Sequence, residues 1–228
     1  AAIGKICKAA GIYFHTDAAQ SFTKIPIDVQ VMGIDAITLS AHKIHGPKGI
    51  GALYVRQGTK MQPLIHGGSQ EAAMRAGTEH VANIVGFAAA ANATSQADIR
   101  KMAMLRNYFT RELLKLPKVT LNGSKVNRLC NNINVTFQGI DAETILNHLN
   151  SMEIYASSGS ACTASELEPS HVLKAIGLSN EAANSSIRFS LSKFTTKQDL
   201  DYALAAIREI VSSLLTISNT VNKIYISK

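Results

Sequence analysis

The alternation of apolar and polar residues divides the chain into short elements. Ala1 to Ala10 reads as the end of a helix closed by Gly11, Ile12 to His15 as a short buried strand, Ala36 to Leu39 as a second strand and Gly51 to Val55 as a third. Short apolar strands separated by connections predict an α/β layer whose sheet is covered on both faces. From Asp98 an amphipathic helix is predicted to run to Leu116, with Met102, Leu105, Phe109 and Leu113 at helical spacing and Pro117 to stop it. Beyond it the pattern predicts a strand over Asn132 to Phe137, a helix over Asp141 to Met152, a strand over Ile154 to Ala156 and a Ser/Gly-rich loop from Ser157 to Glu168. Pro169 then opens a helix that ends at Ile176, with Gly177 past its end. A strand over Ile187 to Leu191 precedes a last helix from Thr196. Asp199 stands three residues on as an imperfect capping box, and Leu200, Leu204, Ile207, Val211 and Leu214 form the apolar face. The break at Asp98 separates an α/β segment, residues 1–97, from a small α+β domain, residues 98–228.

Composition narrows the class. With 46% hydrophobic and 17% charged residues in 228, the chain can bury enough apolar surface to fold and is not a disordered tail. The longest apolar run, Val85 to Ala91, is far short of the roughly 20 residues that cross a bilayer. The formal charge of +7 is spread evenly, with no basic run and few aromatic residues to interleave with one, so neither direct nucleic-acid binding nor a membrane partner is expected. Cys7, Cys130 and Cys162 are an odd number without a paired spacing. That argues against a disulfide framework and a structural zinc site, and for a reducing compartment such as the cytoplasm, or a mitochondrial matrix in a eukaryote.

Candidate chemistry clusters just after two of the strands. His15, Asp17 and Gln20 follow the first, and Ser40, His42 and Lys43 follow the second. In open α/β sheets, ligands bind outside the carboxyl ends of strands. A lysine at a strand end is a candidate Schiff-base former, although its ordinary pKa near 10.4 makes it a poor nucleophile without help from its surroundings. Taken alone, Lys43 reads as a solvated loop residue and Asp17 as a turn or cap. As a pair on two strand ends they match what pyridoxal phosphate needs: a carboxylate for its ring nitrogen and an amine for its aldehyde. Cys162, in a loop of small residues, is an accessible thiol whose thiolate would be the reactive species. Cys7 and Cys130 read as buried small hydrophobes. No histidine pair has metal-site spacing together with a third ligand.

Five runs, in order, resemble cysteine desulfurases of the NifS/IscS type: His15-Thr16-Asp17-Ala18-Ala19-Gln20-Ser21, Ser40-Ala41-His42-Lys43 through Gly51, Arg75-Ala76-Gly77-Thr78-Glu79, Ser157-Ser158-Gly159-Ser160-Ala161-Cys162-Thr163, and Ile187-Arg188-Phe189-Ser190-Leu191. The resemblance implies a fold-type I pyridoxal-phosphate enzyme, a homodimer that converts L-cysteine to L-alanine and passes the sulfur as a persulfide on Cys162 to an acceptor such as an iron–sulfur scaffold protein. Residues 1–97 would then be the C-terminal part of the large cofactor-binding domain, and residues 98–228 the small domain with the Cys162 loop. On the same resemblance Lys43 carries the cofactor and moves protons at the substrate Cα. Asp17 faces the pyridine nitrogen, Gln20 the phenolic oxygen, and Ser40 and His42 the phosphate. Thr78 reaches the phosphate in the other subunit, and Arg188 grips the substrate carboxylate. Relatives carry a further N-terminal portion, with a phosphate-cradling loop, a stacking histidine and an asparagine, so this sequence reads as the C-terminal part of such an enzyme. Ala72, Ala73, His80 and Ser192-Lys193 depart from the usual pattern, and the tail from Asn219 to Lys228 shows no motif. The alternative reading is a non-catalytic binding or assembly module derived from a desulfurase. An aminotransferase or selenocysteine lyase is disfavoured, since a transaminase has no use for the Cys162 loop.

Overall fold

A computed structural model describes residues 1–158 and 169–226, which fall into two compact units, Ala1–Gln96 and Ala97–Lys228. In the first, helix α1 (Ala2–Ala9) is closed by Gly11 in the left-handed region at φ +66, which costs glycine nothing. Strand β1 (His15–Asp17) pairs in parallel with β2 (Ala36–Ser40), and β2 pairs antiparallel with β3 (Gly51–Val55), giving the order β1-β2-β3. The first strand thus lies two to three residues later than the apolar run Ile12 to His15 suggests. Asp35 is the reason: its carboxylate accepts from the Phe14 amide at 2.9 Å, while the Phe14 carbonyl takes the amides of Asp35 and Ala36. The ladder is thereby registered to start at His15.

Between these strands, Asp28 caps the short helix α2 (Val29–Met32) by accepting from the amides of Gln30 and Val31, and Gly33 ends it at φ +64. Arg56, just past β3, ties this corner to the sheet. Its guanidinium donates to the carbonyls of Val29 and Ile34 and pairs with Asp35 at 3.3 Å. Helix α1 meets α2 at Gly4, where an added Cβ would stand 1.9 Å from the Met32 carbonyl oxygen. Gly4→Ala is therefore expected to push the two helices apart at a cost of about 1–3 kcal/mol. A chemical-denaturation midpoint unchanged by the substitution would show that the helices do not pack at this distance.

The expectation of a sheet covered on both faces is not met within the first unit. Leu53 on β3 is 50% exposed, as are Ile3 and Ile6 of α1 to a greater degree, and helix α3 (Val81–Asn92) buries only Phe87 although it is apolar on every side. The core here is two small clusters, one around Ala18, Ile34 and Ile37 and one around Ala41, Ile44 and Phe87.

The second unit is built differently. Helix α4 (Gln96–Leu113) leads into strands β4 (Val119–Leu121) and β5 (Asn132–Phe137), with helix α5 (Ala142–Ser151) after them. Short helices α6 (His171–Ala175) and α7 (Asn180–Asn184) precede strand β6 (Ser186–Ser190) and the long helix α8 (Lys197–Ile226). The sheet is fully antiparallel, in the order β4-β5-β6. Ile133, Val135 and Phe137 of β5 join Phe109 and Leu113 of α4, Ile145 and Leu149 of α5, and Leu204, Ile207 and Val211 of α8 in one core, each of them 2% exposed or less. The residues 154–156 form no strand. Among the described residues only Ser157 bridges to β6, and the Ile154 amide instead donates to the Leu149 carbonyl of α5 at 2.9 Å. Pro169 lies ahead of the α6 cap, Ser170, and not in the first turn. Cys130 is buried as expected, whereas Cys7 is only half-buried. Among the described residues no helix is long and apolar enough to cross a membrane.

The capping box of α8 forms in both directions. The Thr196 amide donates to the Asp199 carboxylate at 2.8 Å, and the Asp199 amide donates to the Thr196 hydroxyl at 3.2 Å. The backbone hydrogen bond from Thr196 is the main cause that holds Asp199 below the usual carboxylate range. A depressed folded-state pKa gives stability that is complete above the unfolded value, about 3.9, and lost as pH falls through the folded one. Asp199→Asn should accordingly lower the melting temperature at pH 7, with the difference from wild type closing below about pH 4. Melting curves across that range test it, and a difference constant with pH refutes it.

Candidate active site

The site residues of the first unit are set out by the end of β2. There the chain turns into one 3₁₀ turn, Ala41–Ile44, in which residues three apart lie on the same side. Ala41 and Ile44 go inward, 0% and 3% exposed, against Phe87 of α3. His42 and Lys43 between them are thereby forced outward, and both are exposed. The segment folds back at once: His45 takes the left-handed conformation at φ +66, and the Gly46 amide donates to the Ala41 carbonyl at 2.9 Å. Gly46 is closely packed, since a Cβ there would lie 3.0 Å from that carbonyl oxygen and 3.2 Å from Ala90 Cβ.

β1 delivers its residues to the same sheet edge. The parallel register sets Asp17 opposite Thr38, so the chain past Asp17 and the chain past Ser40 leave the sheet at the carboxyl ends of neighbouring strands. One Asp17 carboxylate oxygen accepts from the Ala19 amide at 2.8 Å, and the other has no partner among the described residues. Lys43 and Gln20, both exposed, likewise make no side-chain hydrogen bond or ion pair among them. Ser40 Oγ and His42 Nδ1 are 2.9 Å apart, and His15 Nε2 lies 2.8 Å from Thr38 Oγ1. An amine, a carboxylate, an amide, a hydroxyl and an imidazole thus share one edge. That donor set offers the amine, carboxylate and phosphate-binding groups that pyridoxal phosphate would need, and Lys43, Asp17, Ser40 and His42 could hold it.

Thr78 is not part of this group. It is exposed, no hydrogen bond links it to the edge residues, and it follows a backbone stretch in which Glu71, Ala72 and Ala73 all have positive φ, from 48 to 61, without a glycine. Left-handed residues with a Cβ cost roughly 1–2 kcal/mol each, so the surrounding chain must impose this shape. The Gly77 amide, which donates to Gln70 Oε1 at 3.2 Å, is one of the restraints that close the loop ahead of Thr78.

In the second unit Arg188 lies on β6, opposite Asn134 of β5. On its other side its amide donates to the Ser157 carbonyl at 2.6 Å and its carbonyl accepts from the Ser157 amide at 3.2 Å. Its guanidinium has no acidic partner among the described residues. It lines a cavity of about 350 Å³ together with Asn122, Asn134, Ser158 and Ser170. Cys162 lies outside the described residues. The asparagines of this cavity were not among the expected site residues, yet a signal exists: in Asn132-Ile133-Asn134-Val135-Thr136 a polar side chain recurs at every second position of a core strand. Two of the polar groups are tied together, with Asn122 Nδ2 donating to Asn134 Oδ1 at 2.7 Å. Among the described residues, no three His, Cys, Asp or Glu side chains converge as a metal site.

The sequence matches the family model for aminotransferase class-V over residues 1–203. It is 50% identical over 220 residues to the cysteine desulfurase IscS of Dictyoglomus turgidum, covering 95% of this chain and 56% of that protein. Among solved structures, the NifS-like protein from Rickettsia africae superposes with a TM-score of 0.82 at 36% identity, over 92% of this chain and 56% of that one. A structure described as SspA in complex with cysteine matches at a TM-score of 0.69 and 40% identity, over 85% of this chain and 54% of that one. The chain spans about half the length of the curated relatives it matches. Families of this kind generally depend on pyridoxal phosphate. With the motifs in order, the mixed α/β architecture and a family match over nearly all of its length, the chain belongs to the aminotransferase class-V family.

Proposed function

We propose that the protein is the C-terminal part of a pyridoxal-phosphate-dependent cysteine desulfurase, acting on L-cysteine to release L-alanine and hold the sulfur as a persulfide on Cys162. The observation that carries this reading is the parallel pairing of β1 with β2, which sends Asp17 and Lys43 off the same edge with the Lys43 amine and one Asp17 carboxylate oxygen uncommitted among the described residues. The first unit, on this reading, is the C-terminal part of the large cofactor-binding domain, and the second is the small domain. A homodimer is part of the proposal, with Thr78 serving the phosphate in the partner subunit's site.

When bound, pyridoxal phosphate supplies the electron sink for cleavage at the substrate Cα. The side chains do the rest. Asp17 holds a proton at the ring nitrogen by its negative charge, Gln20 donates to the phenolic oxygen, and Ser40 and His42 orient the phosphate. Lys43 Nζ moves a proton to and from the substrate Cα. Arg188 binds the substrate carboxylate with its planar, two-pronged guanidinium. The Cys162 thiolate attacks the substrate sulfur, so that the S–S bond forms as the C–S bond breaks, and the bonding pair left on carbon is protonated to give alanine.

The test adds pyridoxal phosphate to the purified full-length protein and to its Lys43→Ala variant, then supplies cysteine. A band near roughly 400 nm is expected for the parent and not for the variant. Alanine and a Cys162-dependent persulfide, detected by mass spectrometry, are expected to follow. A folded protein with no lysine-dependent band and no persulfide would exclude the desulfurase reading and leave the binding module.

A further inference from the structure

The second unit carries a strongly cationic concave surface, which shares Arg128 with the Arg188 cavity. A groove of about 310 Å³ lies between the outer side of α4 and the chain that follows β4. Arg106, Thr110 and Leu114 form one i,i+4 row along its base, and Arg111 with Lys115 stands on the next row as a bank. Lys125 and Arg128 form the opposite bank, and Leu114 with Leu121 supplies an aliphatic floor. Five cations line it and no carboxylate does.

Internal ion pairs neutralise only part of this charge, through a single carboxylate. Glu112, just outside the groove, is shared by Lys115 at 2.7 Å, Arg111 at 3.5 Å and Arg208 at 3.2 Å. Arg106 gives its guanidinium to the carbonyls of Arg128 and Leu129, and Arg128 gives its own to Ser124, Asn132 and Asn122. Those acceptors fix both arginines in place without cancelling their charge. Burial, and next the nearby Arg106, hold the Arg128 guanidinium below its ordinary pKa.

The shape of this charge selects the ligand. From Arg106 to Lys115 the helix and its last turn advance about 13 Å, so the cations lie in two rows and do not converge as a small inorganic anion requires. No aromatic side chain lines the floor, which leaves a nucleobase nothing to stack on. An extended peptide rises about 3.3 Å per residue and alternates its side chains, so four residues fill the groove with apolar groups downward and carboxylates toward the rim. We propose that this groove docks an extended acidic segment of a partner protein, its carboxylates on Arg111, Lys115, Lys125 and Arg128 and its apolar side chains on Leu114 and Leu121. The proposal does not depend on the reaction at Lys43.

A fluorescein-labelled octapeptide alternating glutamate and leucine is the probe, measured by anisotropy against the whole protein. Binding is expected to weaken about tenfold in a Lys125→Glu, Arg111→Gln double variant, because one exposed charge pair is lost and another is reversed. The matching glutamine–leucine peptide should bind about as weakly to the parent. A melting curve shows whether the variant is folded. On the parent itself, bound peptide should protect Lys125 and Lys115 from acetylation relative to Lys174. Equal binding by the variant, equal binding of the glutamine peptide, unprotected lysines, or preferential competition by inorganic phosphate or a single-stranded oligonucleotide would each overturn the proposal.

Discussion

Phe109→Ala is expected to destabilise the second unit by about 3–5 kcal/mol, the range for removing a fully buried aromatic ring. Phe109 is 1% exposed and is one of twenty buried residues of a core drawn mainly from α4, α5, α8 and the sheet. Its ring meets that of Phe189 edge-on, with centroids 5.3 Å apart and planes at 75°, which adds a directional contact between α4 and β6 to the loss of apolar burial. Leu113 and Ile207, both unexposed, belong to the same core, and its close packing limits how far the hole can collapse. A shift of roughly 10–20 °C in the unfolding of this unit follows. Phe87→Ala, in a cluster of only three buried residues, should cost visibly less. Equal losses at the two positions would mean that the large core does not act as one body.

The second large effect is expected at Arg188. In the full-length, cofactor-loaded protein, Arg188→Ala should raise the KM for cysteine by about a hundredfold, since losing a charge-assisted, two-pronged contact to a carboxylate costs roughly 2–5 kcal/mol. The guanidinium has no acidic partner among the described residues, and the residue is held in the sheet by backbone hydrogen bonds on both sides. Melting behaviour should therefore change little. Arg188→Lys, which keeps the charge and loses the fork, should recover only part of the affinity. A variant with unchanged KM removes Arg188 from the substrate site.

Much of this was legible in the sequence, and the failures have identifiable causes. The core of the second unit could be read because α8 repeats apolar residues at helical spacing and β5 alternates them, so burial and pattern coincide at Leu204, Ile207, Ile133 and Val135. Strand direction was not legible: nothing in Gly51 to Val55 reports that its partner runs the opposite way. The apolar triplet Ile154 to Ala156 looked like a strand, but a strand needs a neighbour with free backbone groups, and only Ser157 finds one. Lys43 and Asp17 were found from their place after strands. Their common edge depends on the β1–β2 register, which Asp35 sets through a side chain bonded to the Phe14 amide. The cationic groove was invisible to a reading that looked for basic runs, because its five charges are gathered from α4 and from the segment after β4 by folding.

The bridge between Ser157 and Arg188 sets a radius. Both hydrogen bonds of that pair fasten residue 157 to the strand that carries Arg188. Cys162 is five residues further along the chain, and five residues drawn fully straight span at most about 18 Å. On the proposed reading, a sulfur atom carried by Cys162 is on a leash of that length with its post at Ser157. An acceptor thiol must come inside that circle to receive it, and lengthening the leash by inserted glycines would widen the circle without touching the chemistry at either end.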